Sequence, residues 1–319
     1  MLIDTIKKNQ PIPNFFVRLS NKDSIEMVDG QQRARTIFAF IKGIISDFEG
    51  KKFAENDFDL NYQLNVTVIT ELEKDESIER FYALVNSSGL RLNRPELKKA
   101  EYYYTNFLYL ITELASRSEF TDLNLFTKPS ADRMNDIEFV SELVANLKFG
   151  IFDKKEKVDF LYEKDITARE SEELKSRFIT ILKYIGEFNK TYPINKTRYK
   201  QRNDFYTLFD FIKTLNPTDD ILDTMLYYYK ILVKIGPFIK PSQEECDPLM
   251  NYALHCVSQS NSKTAREERQ KFFFELFLNE DSEANETQIA ILNFFGKDSS
   301  NIVTKSEKIT INLDAIPNA

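Results

Sequence analysis

The sequence is poor in several residue types. In 319 residues it holds 8 glycines, no tryptophan, one histidine and two cysteines, and 43 basic residues face 50 acidic ones for a net charge of −7. Scarce glycine leaves few sharp turns, which disfavours a many-stranded barrel or sandwich and favours helices. The negative balance argues against a protein that grips nucleic acid over its whole surface, because displacing counterions from phosphates takes lysine and arginine. Cys246 and Cys256 stand ten apart with His255 beside the second. That spacing matches no zinc or iron-sulfur pattern and predicts isolated thiols and a packed histidine. No stretch approaches the ~18 uninterrupted apolar residues of a membrane span. The amino terminus has no apolar core followed by a small-residue cleavage site, so the expected location is a reducing cytoplasm, with no membrane partner. Gly-rich phosphate loops, nucleophile elbows and paired-cysteine motifs are also missing.

What the chain does have is apolar and aromatic: 42% hydrophobic residues, with 27 phenylalanines and 15 tyrosines. That fills one large core or two ordinary ones. The expected fold class is α+β and mostly helical: a small α/β domain over residues 1–95, a larger all-helical domain over 96–296, and a tail over 297–319. In the first, "MLIDTIKKN" predicts a short helix stopped by Pro11 and Pro13. "FFVRL" and "SIEMVD" predict strands split by the turn-like "SNKD", and "YQLNVTVIT" alternates Leu64, Val66 and Val68 on one face. Between the second and third strands, Ile37, Ile41, Ile44, Ile45 and Phe48 recur at helical spacing, with Asp29 standing where an N-cap would.

"SIERFYALVNSSG" predicts a helix ended by Ser-Gly, and "NRPELKKAEYYYTNFLYLITELASR" a further one with Asn93 as cap and Glu96 at the capping-box position. From there to about residue 296 the pattern is helical, with no repeat of fixed period. In the tail, Ile309, Ile311 and Leu313 alternate, which predicts an edge strand or a docking segment, with disorder as the alternative.

The densest chemistry lies in "VDGQQRARTIFAF", residues 28–40, a strand-to-helix turn. Amides at a helix start point outward unsatisfied and carry partial positive charge, so such a turn seats a phosphate or another anion. Gly30 lets the backbone come close, Arg33 can fork onto two phosphate oxygens, and Arg35 adds charge. Gln31 and Gln32 can each donate and accept, which suits a base edge, a sugar hydroxyl or an attacking water. Asp29 is a candidate to hold magnesium or to orient water. Spacing alone favours a plainer reading, in which Asp29 only caps the helix and Arg33 is a solvated charge.

The contiguous Asp-Gly-Gln-Gln-Arg resembles the signature of the DGQQR-motif domain family, found in modification-dependent restriction systems of the GmrSD class and in phosphorothioate-sensing defence enzymes. "LIDTIKKNQPIPNFFV" is similar to that family's helix and Ile-Pro loop, and "FYALVNSSGLRLNRPELKKAEYY" to its Asn-x-x-Gly-x-x-Leu and Glu-Leu-x-x-Ala segment. "DRMNDIEFVSELV", "RNDFYTLF" and "TAREERQKFFFELF" resemble its helical half. The resemblance implies a ParB/sulfiredoxin-like front domain that binds a nucleoside triphosphate with Mg2+ and hydrolyses it to control a nuclease. Carried over by position, Asp29, Gln32 and Arg33 take catalytic roles, and Gly30, Gln31, Gln32, Arg33, Asn86 and Gly89 contact phosphate, with Arg35 nearby. Family members carry an upstream Ile-Pro-x-x-Gln-Arg-x-x-x-Trp strand and turn. This sequence begins after that point, so a shortened front domain is expected.

Fused relatives end in an HNH nuclease that needs histidines, which one histidine cannot supply. The expected partners are therefore the nucleotide, DNA and a separate nuclease subunit, and the chain alone is expected to cut no DNA. The alternative is a non-catalytic adaptor for nucleic acid or for a nuclease, and a third reading is an inactive remnant. The strip "NKTRYKQRND" places Lys196, Arg198, Lys200 and Arg202 around Tyr199, a candidate nucleic-acid contact that a solvated linker explains equally well. In "KTAREERQKFF", Arg266 and Arg269 are expected to pair with the glutamates of their own helix. The Tyr triplets at 102–104 and 227–229 spread around a helix, so one or two of each belong to the core.

Overall fold

A computed structural model describes residues 2–21, 24–53, 61–70, 93–216 and 219–317. The helix expected over "SIERFYALVNSSG", and with it Asn86 and Gly89, lies outside the described residues. The chain is α+β and mostly helical, and its backbone divides into two compact units, residues 1–101 and 102–319.

In the front unit, helix α1 (Leu2–Lys7) precedes strands β1 (Phe15–Asn21) and β2 (Ser24–Asp29), helix α2 (Gln31–Ile41), strand β3 (Val66–Ile69) and helix α3 (Arg94–Glu101). The sheet order is β2-β1-β3, with β1 antiparallel to β2 and parallel to β3. Phe15 on β1 packs with Ile6 of α1, Ile12 of the proline loop and Ile37 of α2, which places both helices on one sheet face. This core is small, and burial of apolar area is what holds the two helices down. Among the described strands, β3 lies at one edge of the sheet. The face that Leu64, Val66 and Val68 share is largely solvent-exposed, and Ile69 is buried.

Helix α2 stops earlier than the apolar period suggests. The Lys42 amide closes on Phe38 O at 2.9 Å, Gly43 adopts φ +67°, and the chain leaves the helix. Ile44 and Phe48 are consequently exposed rather than core. The loop that follows is organised by Asp47, whose buried carboxylate accepts the Glu49 and Lys51 amides at 3.0 and 2.8 Å and Lys7 Nζ at 2.8 Å.

The capping box at the next helix is present: the Glu96 amide donates to Asn93 Oδ1 at 3.1 Å and the Asn93 amide to Glu96 Oε2 at 2.8 Å. α3 ends at Glu101 instead of running through the tyrosines. Thr105, in extended conformation, accepts the Leu108 amide at 3.3 Å and starts a new helix, α4 (Asn106–Ser116).

The second unit continues with short helices α5 (Ser118–Thr121) and α6 (Lys128–Asp132). Longer ones follow: α7 (Asn135–Phe149), α8 (Lys154–Lys164), α9 (Ala168–Thr191), α10 (Arg202–Thr214), α11 (Leu222–Ile235), α12 (Asp247–Val257), α13 (Lys263–Phe277) and α14 (Glu286–Phe294). Its core is aromatic. Phe211 of α10 meets Phe273 and Phe277 of α13, and Tyr229 of α11 stacks on Phe188 of α9 at 4.7 Å. Of the two tyrosine triplets, Tyr228 and Tyr229 are core, whereas Tyr103 and Tyr104 are exposed. α7 and α10 are buried all round over residues 139–147 and 204–212, and so carry Glu142, Asn146, Asp204 and Asp210 inside. Such groups persist only with partners. Asn146 Nδ2 donates to Tyr206 Oη at 2.8 Å and to Asp210 Oδ1 at 2.7 Å, and Lys213 Nζ reaches Asp210 at 2.5 Å.

The tail is part of this unit. Strands β4 (Ile302–Lys305) and β5 (Lys308–Ile311) form an antiparallel hairpin. Thr310 Oγ1 donates to Leu276 O at 2.9 Å and Gln288 Nε2 to Ile309 O at 2.9 Å. The alternating residues are thus ordered by docking on α13 and α14. Among the described residues, no helix is long and apolar enough to cross a membrane.

α9 begins with a second capping box, Thr167 and Glu170, and Lys148 Nζ adds a contact to Glu170 Oε1 at 2.5 Å. Lys148 first, then the Thr167 amide and hydroxyl, hold the Glu170 carboxyl down at about 2, against an ordinary 4.5. A depressed folded value stabilises the protein above the unfolded value and loses that contribution as pH falls towards the folded one. Between about pH 4.5 and about 2, the melting temperature of Glu170→Gln is therefore expected to fall less steeply than that of the parent. Parallel slopes in a pH series of thermal melts would contradict this.

Candidate functional site

β2 delivers Asp29 opposite Phe16 of β1, and the chain turns into α2 at Gly30. Gly30 has φ +98°, and a Cβ placed on it would stand 2.4 Å from Phe15 Cδ1. Only glycine meets both conditions, since the left-handed region and the missing side chain are each required. Gly30 O accepts the Ala34 amide at 2.8 Å, but among the described residues no side chain caps the helix. The amides of Gln31, Gln32 and Arg33 are thus uncapped at the positive end of an 11-residue helix.

Asp29 does not cap α2, contrary to expectation. It is the last residue of β2, one position before the cap, and its carboxylate turns to Arg33, with Oδ2 2.6 Å from Nη2. Arg33 is not a solvated charge either. Nη1 donates to Pro13 O, Nη2 also reaches Asn14 O at 3.3 Å, and the guanidinium lies 5.0 Å from the Phe15 ring centroid. Arg33 therefore stitches the proline loop, β1 and β2 to α2. Two N–H groups, Nε and one on Nη1, remain for anything else.

Gln31 Nε2 donates to Met27 O at 2.9 Å and braces the turn against β2. Gln32 and Arg35 are exposed, and their side chains have no protein partner among the described residues. The structure thus brings Asp29, Gly30, Gln31 and Arg33 together as scaffold, and leaves Gln32 and Arg35 exposed beside a helix start that no side chain caps among the described residues. Chemically, this arrangement can receive a small anion: the Asp29 charge is neutralised by Arg33, and the helix end and Arg35 are positive.

A protein-held magnesium ion fits this turn poorly. Asp29 has one oxygen already given to a guanidinium, and no cluster of three or more metal-binding side chains occurs among the described residues.

The basic strip is divided. Lys196 and Lys200 are exposed. Arg198 turns inward, with Nε 2.9 Å from buried Asp204, Nη1 on Ile239 O at 2.9 Å, and its guanidinium over Tyr252. Tyr199 is fully buried and cannot stack on a base. Arg202 lies over Phe126, 4.9 Å from its centroid. The strip looks like surface in the sequence, but Asp204, six residues on from Arg198, draws that arginine inside.

Cys246 and Cys256 are free and buried, and burial with Asp204 alongside pushes the Cys256 thiol up to about 12. Neither belongs to a metal cluster among the described residues. Arg266 and Arg269 do not pair within their helix. Arg266 is buried, bonds Glu142 Oε2 through Nη2 at 2.7 Å, and is held between the rings of Phe152 and Tyr206. Arg269 is fully buried. It donates through Nε to Thr207 Oγ1 at 3.0 Å and through Nη1 to His255 O and Ser260 O at 2.6 and 2.9 Å.

The front unit is thus a small α/β module whose glycine turn presents uncapped amides at the start of a helix. Residues 1–103 match the family model described as GmrSD restriction endonuclease, N-terminal domain. No curated protein and no solved structure matches the chain.

Proposed function

We propose that this chain is a nucleotide-binding, triphosphate-hydrolysing regulatory component of a restriction or anti-phage defence system, acting with a separate nuclease. The family match over residues 1–103 supports the defence context. The observation that carries the site is the uncapped start of α2 behind Gly30. In this reading the amides of residues 31–33 hold a phosphate, Arg35 and Gln32 contact it from the exposed side, and Arg33 positions the turn rather than gripping the ligand. Magnesium arrives as the nucleotide's own counter-ion. One histidine in the sequence supports assigning any DNA cleavage to a nuclease outside these 319 residues.

The test is phosphate release from ATP, GTP and CTP with magnesium, with and without DNA. Gln32→Ala with Arg35→Ala is expected to lower the rate about 10- to 100-fold, as for other donors aimed at a charged centre, without changing the melting temperature. The deep engagement of Arg33 with backbone carbonyls favours a second reading, a non-catalytic adaptor whose motif only braces the turn. No release from the intact chain, or release indifferent to the double variant, would decide for the adaptor.

A further inference from the structure

The helical unit contains a polar cavity of about 190 Å³ between α7, α10, α13 and the loop that joins α12 to α13. Its deep wall is formed by Glu142, Arg266 and Arg269, all buried. Around the mouth stand Arg202, Asn203 and Asn261, which are half-buried or exposed. Three arginines therefore face one carboxylate in a chain whose net charge is −7. Glu142 is already spent on Arg266 at 2.7 Å. Arg269 has no carboxylate partner among the described residues: its bonds go to a hydroxyl and two carbonyls. Arg202 has neither an ion pair nor a hydrogen bond there, only the Phe126 ring.

A buried guanidinium without a counter-charge is costly. The first turn of α10 borders the same space, and its cap residue, Gln201, supplies no side-chain bond. Uncapped amides thus add positive potential beside Arg202 and Asn203.

We propose that this cavity binds a phosphate group. Planar guanidinium forks match tetrahedral oxyanions, and a dianion would balance the charge excess of the lining. Drug-sized ligand pockets run from roughly 300 Å³ upward, so a space of about 190 Å³ takes the phosphate itself and leaves any larger remainder outside the mouth. The site lies wholly within residues 102–319 and does not depend on the reading of the glycine turn.

Calorimetric titration of the intact chain with orthophosphate tests this, with Arg202→Gln as the site variant and Lys200→Gln as an exposed neighbour. Arg202 carries no ion pair, so its replacement should leave the melting temperature in place. Saturable binding is expected, weakened about tenfold or more in Arg202→Gln, since a charge-assisted bond is lost, and unchanged in Lys200→Gln. Adenosine monophosphate as competitor distinguishes the source. Competition means that the site takes the phosphate of a larger molecule, and no competition means that it takes free phosphate. Absence of saturable binding, or equal binding by the parent and Arg202→Gln, overturns the proposal. So does equal loss in both variants, which would mark diffuse surface charge.

Discussion

Replacing Gly30 with alanine is expected to destabilise the front unit by about 2–5 kcal/mol, from a left-handed backbone penalty added to overpacking against a ring. Two independent costs meet at this position: φ is +98°, and the new methyl would lie 2.4 Å from Phe15 Cδ1. Phe15 cannot swing aside cheaply because it is buried among Ile6, Ile12 and Ile37. Gly50 provides the control, since its φ is +81° but a methyl group added there would meet nothing within 4 Å. Gly50→Ala should therefore show the backbone cost alone, about 1–2 kcal/mol. Adding Phe15→Leu to Gly30→Ala should relieve the clash and leave that same residue of strain, plus the cost of the smaller side chain. Equal destabilisation in the Gly30 and Gly50 variants, measured by urea unfolding, would mean that the ring yields and the close approach is unimportant.

The second large effect is expected at Glu142. Its carboxylate and the Arg266 guanidinium are both almost completely buried. Glu142→Gln removes one charge and leaves the other between the Phe152 and Tyr206 rings, a loss of about 3–5 kcal/mol by analogy with broken buried pairs. Removing both charges is a different perturbation, because no uncompensated ion remains. Glu142→Leu combined with Arg266→Met is expected to lie much closer to the parent than the single variant does. Denaturant titration of Glu142→Leu, Arg266→Met and the double closes the cycle. A cost below ~1 kcal/mol for Glu142→Gln would place the pair with exposed ion pairs instead.

Much of this architecture could be read from local signals. The three strands of the front unit stand where apolar runs are bounded by turn residues, and Asn93 with Glu96 makes the box that their spacing foretold. The failures have identifiable physical causes. Ile44 and Phe48 continue the period of α2 in the sequence, yet Gly43 ends the helix before them, and a stop signal outranks periodicity.

Asp29 has the right chemistry for a cap. A sequence pattern, however, does not separate a strand's last residue from a helix's first flanking one, and a carboxylate four residues before an arginine has a competing partner. The buried arginines left a visible trace: positions 266, 269, 273 and 276 form one helical stripe, and the last two are Phe273 and Leu276. Two charged residues sharing an apolar stripe signal burial with a distant partner. Glu142, 124 residues away, lies beyond any local pattern.

The aromatic core of the helical unit also gives the two halves of the chain different optical signatures. The protein has no tryptophan, and all of its tyrosines except Tyr62 and Tyr82 lie beyond residue 101. Intrinsic emission is therefore tyrosine emission, and it reports almost entirely on the unit in which Tyr199, Tyr229 and Tyr252 are buried. A single tryptophan introduced into the front sheet would be the protein's sole indole, so the melting of each unit can be followed at its own wavelength in one sample.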